Sequence, residues 1–304
     1  MGNKLMISLV VALFCIVMLL GIVIYLVSTN QGTSPVAIES PRPTAEPPTP
    51  TPTPEPTPYI SPTPEPTPTP EITPTPIPQT LKGLVICLDP GHQKKQNLDK
   101  EPCAPWHENM NPKMNDTVMK AKCAAGTQGK FTKIPEYQVT LEISLAIKAE
   151  LEQYGATVIM TRETNDVDLS NIERAEIGNM SFCDVVLRIH CNGSSSESVN
   201  GVEAWVRGTG DGTEEYKELG DYEKALAEEL LQYYVSCTGA SKRGVGRSDE
   251  YTGLNWSMVP SIILECGFMS NPDEDFALTS EAYQQRIADG IATWLVNSTV
   301  IKRK

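Results

Sequence analysis

The sequence predicts an α/β domain, with a central mostly parallel or mixed sheet flanked by helices, behind a membrane anchor and a spacer. Three observations carry that prediction. From Leu84 onward short β-branched runs alternate with amphipathic stretches, as when strands are buried beneath crossing helices. Of the 25 prolines, 18 fall between Pro35 and Pro78, so the 224 residues from Leu81 to Lys304 keep only seven and suffice for one domain with a sizeable core. Ahead of the proline tract, Leu5 to Ser28 is a 24-residue run without a charge, where roughly 20 residues span a bilayer as helix. The expected division is residues 1–30 as cytoplasmic N-terminus and transmembrane anchor, 31–80 as disordered Pro/Thr-rich linker, and 81–304 as the folded domain.

The anchor comes first. Lys4 is its only near-side charged residue and no Lys or Arg follows until Arg42, so the positive-inside rule leaves the N-terminus in the cytoplasm and everything after Ser28 outside. The competing reading is a cleaved signal peptide, whose apolar core usually runs about 7 to 15 residues. This run is too long for that, although Pro35-Val36-Ala37 keeps late cleavage open. Cys15 follows the bulky Phe14 and reads as an apolar mid-membrane residue rather than a lipidation site. In the tract that follows, nearly every second residue is proline, which removes backbone donors and holds the chain extended. At about 3.1 Å per residue such a spacer reaches on the order of 100 Å or more, far enough to work on an extracellular polymer.

Within the domain, strands are expected at Leu84–Leu88, Thr157–Met160, Val185–Ile189, Val202–Val206 and Ser261–Leu264. Helices are expected at Tyr137–Tyr154, closed by Gly155, and at Ser170–Met180, Glu214–Tyr234 and Glu281–Val296. The net charge of −13 excludes a basic nucleic-acid binder, since neutralising phosphates takes clustered Lys and Arg.

Three strands run straight into chemistry. VICLD leads to Pro90-Gly91-His92, VVLRI to His190-Cys191-Asn192, and SIIL to Glu265-Cys266-Gly267. Ligand sites in open α/β sheets gather beyond the carboxyl ends of strands, and two of the three histidines in the chain sit there. A hydrolytic zinc site takes three protein ligands from His and carboxylate and leaves a fourth position for water. His92 and His190 supply two. Glu136 is the attractive third because Pro135-Glu136 opens the long helix after a polar loop, yet spacing alone also accounts for it as a first-turn Glu favoured by the helix dipole. Glu265 would be the general base.

The segments LVICLDPGHQ, PEYQVTLEISLAIKAELEQYGATVIMTRE, LSNIERAEIGN, VVLRIHCNG and VPSIILECGFMSNPDED, in this order, resemble the zinc-dependent N-acetylmuramoyl-L-alanine amidases of the amidase 3 family. The resemblance spans nearly all of Leu84 to Val296. It implies His92, Glu136 and His190 as Zn²⁺ ligands and Glu265 as the catalytic acid/base, and it decides Glu136 where spacing did not. The implied reaction is hydrolysis of the amide between N-acetylmuramic acid and L-alanine in peptidoglycan, for wall remodelling or autolysis. Asn192, and Arg174 in the SNIERAEI helix, are candidate substrate or supporting groups, with a helix-to-sheet ion pair as the other reading of Arg174.

The chain departs from the family in having Gln93-Lys94 where Gly-Gly is common, and in the 43 residues between His92 and Glu136. That insertion is expected to cover part of the cleft, holds His107 as an ordinary loop residue, and contains Cys103 and Cys123, for which a disulfide is one expectation. Whether a protein activator displaces it is open. Cys191 and Cys266 should face away from the His190 and Glu265 side chains, because strand side chains alternate. That placement argues against the rival enzyme, a Cys-His peptidase. The rival from another class is a catalytically silent wall-binding or regulatory domain, whose expected mark, loss of a ligand or of the catalytic Glu, is absent.

Overall fold

The computed structural model describes residues 80–105, 118–208 and 213–302. The expected anchor, the linker and His107 lie outside the described residues, and no helix among the described residues is long and apolar enough to cross a membrane.

Among the described residues the first element is β1 (Val85–Pro90), followed by an antiparallel ribbon of β2 (Asn97–Pro102) and β3 (Met119–Cys123). Next come α1 (Glu136–Gln153), β4 (Thr157–Met160), α2 (Asn171–Met180), β5 (Val185–Asn192) and β6 (Val202–Arg207). The remainder is α3 (Glu214–Thr238), β7 (Lys242–Ser248), the one-turn α4 (Thr252–Asn255), β8 (Ser261–Phe268), α5 (Pro272–Leu278) and α6 (Glu281–Asn297). The main sheet runs β4-β1-β5-β8-β6-β7. Its first four strands are parallel, β6 is antiparallel to β8, and β7 is parallel to β6. The expected mixed sheet is therefore present, with its change of direction between β8 and β6.

Strand alternation sorts the side chains into two layers. One face carries Ile86, Leu88, Leu187, Ile189, Cys191, Leu264 and Cys266, buried with α1, α3 and α6 in the main core. The opposite face carries Cys87 and Val186, which pack with Cys183 and Ile177 under α2. Toward the strand ends that second face turns polar, with Asp89, Arg188, His190 and Glu265, and this is where the candidate site forms. Helix α2 starts on Ser170, whose hydroxyl accepts from the Glu173 amide while the Glu173 carboxylate accepts from the Ser170 amide, a reciprocal cap that fixes its start.

The insertion is only partly loop. Its ribbon docks on α2 through Glu101, whose carboxylate accepts the amides of Asn171 at 3.1 Å and Ile172 at 3.4 Å. At its other side Trp256 Nε1 donates to the Pro102 carbonyl and Asn255 Nδ2 to that of Cys103. The disulfide expectation is corrected here: Cys103 and Cys123 are both free thiols. Ribbon register explains why. Cys123 sits opposite Asn97 at one end, whereas Cys103 follows the Pro102–Met119 pair at the other, far beyond the reach of an S–S bond.

Candidate active site

The first turn of the site is built by buried arginines. Asp89, the next-to-last residue of β1, has its carboxylate accepting from Arg174 Nη1 at 2.8 Å, Arg188 Nη1 at 2.7 Å and Thr161 Oγ1 at 2.6 Å. Burial works against that charge, but the Arg188 and Arg174 guanidiniums outweigh it and hold the carboxyl well below its usual range. Arg174 and Arg162 then take the next carbonyls of the chain: both donate to Pro90 O, Arg162 to Gly91 O, and Arg174 to His92 O. These bonds hold His92 at φ 59°, a left-handed conformation that costs a non-glycine residue about 1 kcal/mol or more. Gly91 must be glycine for another reason, since a Cβ there would lie 2.4 Å from His190 Cε1.

Glu136 reaches the same point from the start of α1. Its Oε1 lies 3.3 Å from His92 Nε2 and 3.2 Å from His190 Nδ1, and also accepts the Cys191 amide at 3.1 Å. Its Oε2 accepts the Thr127 amide at 2.7 Å. Gly126 at φ 79° lets the loop pass, because a Cβ would meet Glu136 Oε2 and His92 Cδ2 at 2.7 Å. Burial opposes the Glu136 charge, but hydrogen bonds with His190 and His92 keep its carboxyl well below the usual range. On the far side of the His92 ring, Nδ1 donates to the Ala124 carbonyl at 2.9 Å, which leaves Nε2, the nitrogen that faces Glu136, as the ring's candidate ligand atom. One ligand atom from each of His92, Glu136 and His190 falls within 4.8 Å of the others. The set of two imidazoles and one carboxylate fits Zn²⁺.

Glu265 completes the arrangement through sheet register. On β5 and β8 His190 is the partner of Glu265, and on β8 and β6 Glu265 is the partner of Glu203, so all three lie in one row. Glu265 Oε2 is buried without a hydrogen-bond partner. Burial pushes its carboxyl well up from the ordinary value, with Glu136 and Glu203 adding repulsion. His92, His190 and Glu265 open into one cavity of about 350 Å³, walled by Arg188, Ile263 and Tyr251 and, from the ribbon, by Lys120 and Ala124.

The expected site residues thus divide. His92, Glu136, His190 and Glu265 are brought together. Asn192 stands beyond a bulge in β5, and its Nδ2 donates to Glu203 Oε1 at 2.8 Å. Arg174 is an ion pair from helix to sheet, 1% exposed, that acts on the site through the His92 carbonyl. Gln93, where the family pattern has glycine, is fully buried, and its Oε1 accepts from Arg174 Nη2 and the Leu169 amide. Cys191 and Cys266 belong to the main core, with burial raising both thiols far from a reactive range. Sequence reasoning missed Asp89, Arg162 and the Ala124 carbonyl; the signal for Asp89 was its place directly before Pro90-Gly91-His92.

A mixed α/β sheet carrying a convergent His-Glu-His set and a buried carboxylate beyond its strand ends is the layout of a hydrolytic domain with a candidate metal centre. The comparisons with known proteins specify it: the chain belongs to the amidase 3 family, N-acetylmuramoyl-L-alanine amidase, whose sequence profile matches residues 86–297. The germination-specific N-acetylmuramoyl-L-alanine amidase of Bacillus subtilis (strain 168) is 30% identical over 173 residues, covering 52% of this chain and 68% of that protein. The uncharacterized protein YqiI of the same organism is 30% identical over 156 residues, covering 51% of this chain and 70% of that protein. Among solved structures, the amidase Ami1 from Mycobacterium smegmatis shares the fold at a TM-score of 0.61 with 20% identity, over 72% of this chain and 99% of that one.

Proposed function

We propose that this protein is a zinc-dependent amidase that cleaves the bond between N-acetylmuramic acid and L-alanine of peptidoglycan. The observation that carries the reading is the convergence of one ligand atom each from His92, Glu136 and His190 beside a cavity that both histidines share with the buried Glu265, whose Oε2 has no hydrogen-bond partner. Zn²⁺ held by those three side chains would supply positive charge to polarise the scissile carbonyl and acidify water. Glu265 takes a proton from the attacking water as its oxygen bonds to the carbonyl carbon, and returns it to the nitrogen as the C–N bond breaks. The products are the lactyl carboxylic acid of the sugar and the free amine of L-alanine. Asp89, Arg162 and Arg174 hold the His92 turn, and the Ala124 carbonyl fixes the ring's tautomer.

Retention of all four side chains speaks against a silent wall-binding domain. Burial of Cys191 and Cys266 in the core speaks against a Cys-His peptidase. The uncharged run Leu5–Ser28 and the proline tract support a single-pass membrane protein with its catalytic domain outside, facing the wall. The test is to measure zinc per chain in the purified protein and to digest peptidoglycan sacculi. Free glycan strands and intact stem peptides bearing a new L-alanine amino terminus are expected; products with new reducing sugar ends would overturn the reading.

A further inference from the structure

The cavity that His92, His190 and Glu265 share is also lined by Tyr251, a residue the mechanism above leaves unused. Sheet register places it. Next to the row of His190, Glu265 and Glu203, the same face of β5, β8 and β6 carries the row of Arg188, Ile263 and Trp205. The Trp205 ring meets the Tyr251 ring edge-on, with centroids 5.9 Å apart and planes at 63°. Trp205 in turn rests on Gly246 of β7, where a Cβ would lie 2.5 Å from the indole, so only glycine admits the ring there. The main chain of Tyr251 is held as well. Its carbonyl accepts the Leu254 and Asn255 amides at 3.0 Å, and Asn255 Nδ2 ties α4 down by donating to the Asp249 and Cys103 carbonyls. With ring and backbone both fixed, the hydroxyl still has no hydrogen-bond partner among the described residues.

We propose that Tyr251 is a further catalytic residue, whose hydroxyl donates a hydrogen bond to the carbonyl oxygen of the scissile amide as water adds to it. The assignment rests on the amidase reading above and adds one side chain to it. As the water oxygen bonds to the carbonyl carbon and Glu265 takes the water's proton, the C=O electron pair moves onto the oxygen. A donor for that oxygen is most effective when it is already in place and has no other acceptor to leave. Tyr251 meets both conditions. It keeps its own proton throughout: as the electron pair returns and the C–N bond breaks, the nitrogen takes its proton from Glu265.

The other donors of the cavity wall are engaged or covered. Lys120 lies 3.6 Å from the Glu250 carboxylate, Asn171 Nδ2 donates to the Ala121 carbonyl at 3.4 Å, and Thr252 is 4% exposed. Arg188 Nη1 donates to Asp89, while its Nη2 is buried against Gly253, where a Cβ would fall 2.3 Å from that nitrogen. The phenol is also kept in its donor form. Burial pushes it up from its ordinary value, and the charges of Glu265, Glu203 and Glu250 push the same way, so it stays protonated at neutral pH. Stacking on Trp205 accounts for the ring, and Phe would stack as well. It does not account for an unpaired hydroxyl in the cavity of the reacting groups.

The test is Tyr251→Phe in the full chain, which keeps the stacked ring and deletes the hydroxyl. Zinc per chain and Tm should match the parent, while kcat on muramoyl dipeptide should fall about 100-fold, the usual worth of one such donor, and KM should change by less than about twofold. Calorimetry gives a readout apart from turnover. A phosphinate that mimics the tetrahedral centre should bind Tyr251→Phe about 100-fold more weakly than it binds the parent, whereas muramoyl dipeptide should bind Glu265→Gln equally well with and without Tyr251→Phe. Full activity in Tyr251→Phe, equal weakening of dipeptide and phosphinate, or a slow variant that keeps its phosphinate affinity overturns the assignment. So does a loss of zinc or of Tm that accompanies the lost activity, since it makes the hydroxyl structural. The unmodified chain, assayed alongside, separates the two failures: cleavage of muramoyl dipeptide by parent and Tyr251→Phe alike sinks the Tyr251 role alone, and no cleavage by the parent sinks the amidase reading and this role with it.

Discussion

Replacing Asp89 with Asn tests whether the buried arginine node is what holds the site together. The carboxylate is 1% exposed and is the only anion that an ion pair assigns to Arg174 and Arg188 among the described residues. Asn preserves shape but leaves two guanidiniums buried without a counter-charge, and breaking such a pair from one side costs about 3–5 kcal/mol. For a domain of this size each kcal/mol moves the midpoint by about 2–4 °C, so Tm should fall by about 6–20 °C. The sign with pH follows from the depressed folded value: the contribution of Asp89 is fully present above its unfolded value near ~3.9 and is lost only as pH falls through the folded one. The gap between parent and Asp89→Asn should therefore be constant from pH 5 to 8 and shrink only in strong acid. Thermal unfolding followed by circular dichroism at several pH values measures it. A gap below about 2 °C, or one that closes near neutrality, would refute the idea that this node organises the His92 turn.

Glu265→Gln should retain zinc, measured by metal analysis, while kcat falls by about 10²–10⁴, the usual worth of a positioned acid/base; the burial that raises the Glu265 carboxyl should place the acid limb of the parent's kcat above the ordinary Glu range. His190→Ala should instead lose both zinc and activity. Glu101→Ala removes the acceptor that ties the ribbon to the start of α2, so stability should fall by the roughly 1 kcal/mol of a helix cap, about 2–4 °C in Tm, and KM should rise more than kcat falls. Alkylating the folded protein with iodoacetamide should leave activity intact, since Cys191 and Cys266 are core residues; loss of activity in step with modification of either would reinstate a thiol nucleophile.

The elements that burial dictates were readable from sequence, and those that it does not were missed. The apolar runs of β1, β5 and β8 and the amphipathic α1, α3 and α6 announce themselves because one layer must cover the other. β7, reading KRGVGRS, has no such pattern: it is an edge strand, and polar or glycine residues are what keep an edge from pairing with another chain. The ribbon strands NLDKEP and MKAKC are polar for a related reason, since they pack mainly through backbone and capping contacts rather than a core face.

The same distinction explains which site residues could be read. His92, His190 and Glu265 declare themselves because a strand end is a position visible in one dimension. Glu136 does not, because a carboxylate in the first turn of a helix is favourable whether or not it faces anything; only the placement of α1 over the ends of β1 and β5 turns it into a ligand candidate. Row partnership is likewise a property of register. Glu265 and Glu203 are 62 residues apart in the chain and become neighbours only because β6 pairs antiparallel with β8. That reversal sets the Glu203 carboxylate beside the buried one, where its charge adds to burial in raising the Glu265 carboxyl. The change of strand direction, which no local pattern announces, is thus part of what sets the electrostatic surroundings of Glu265.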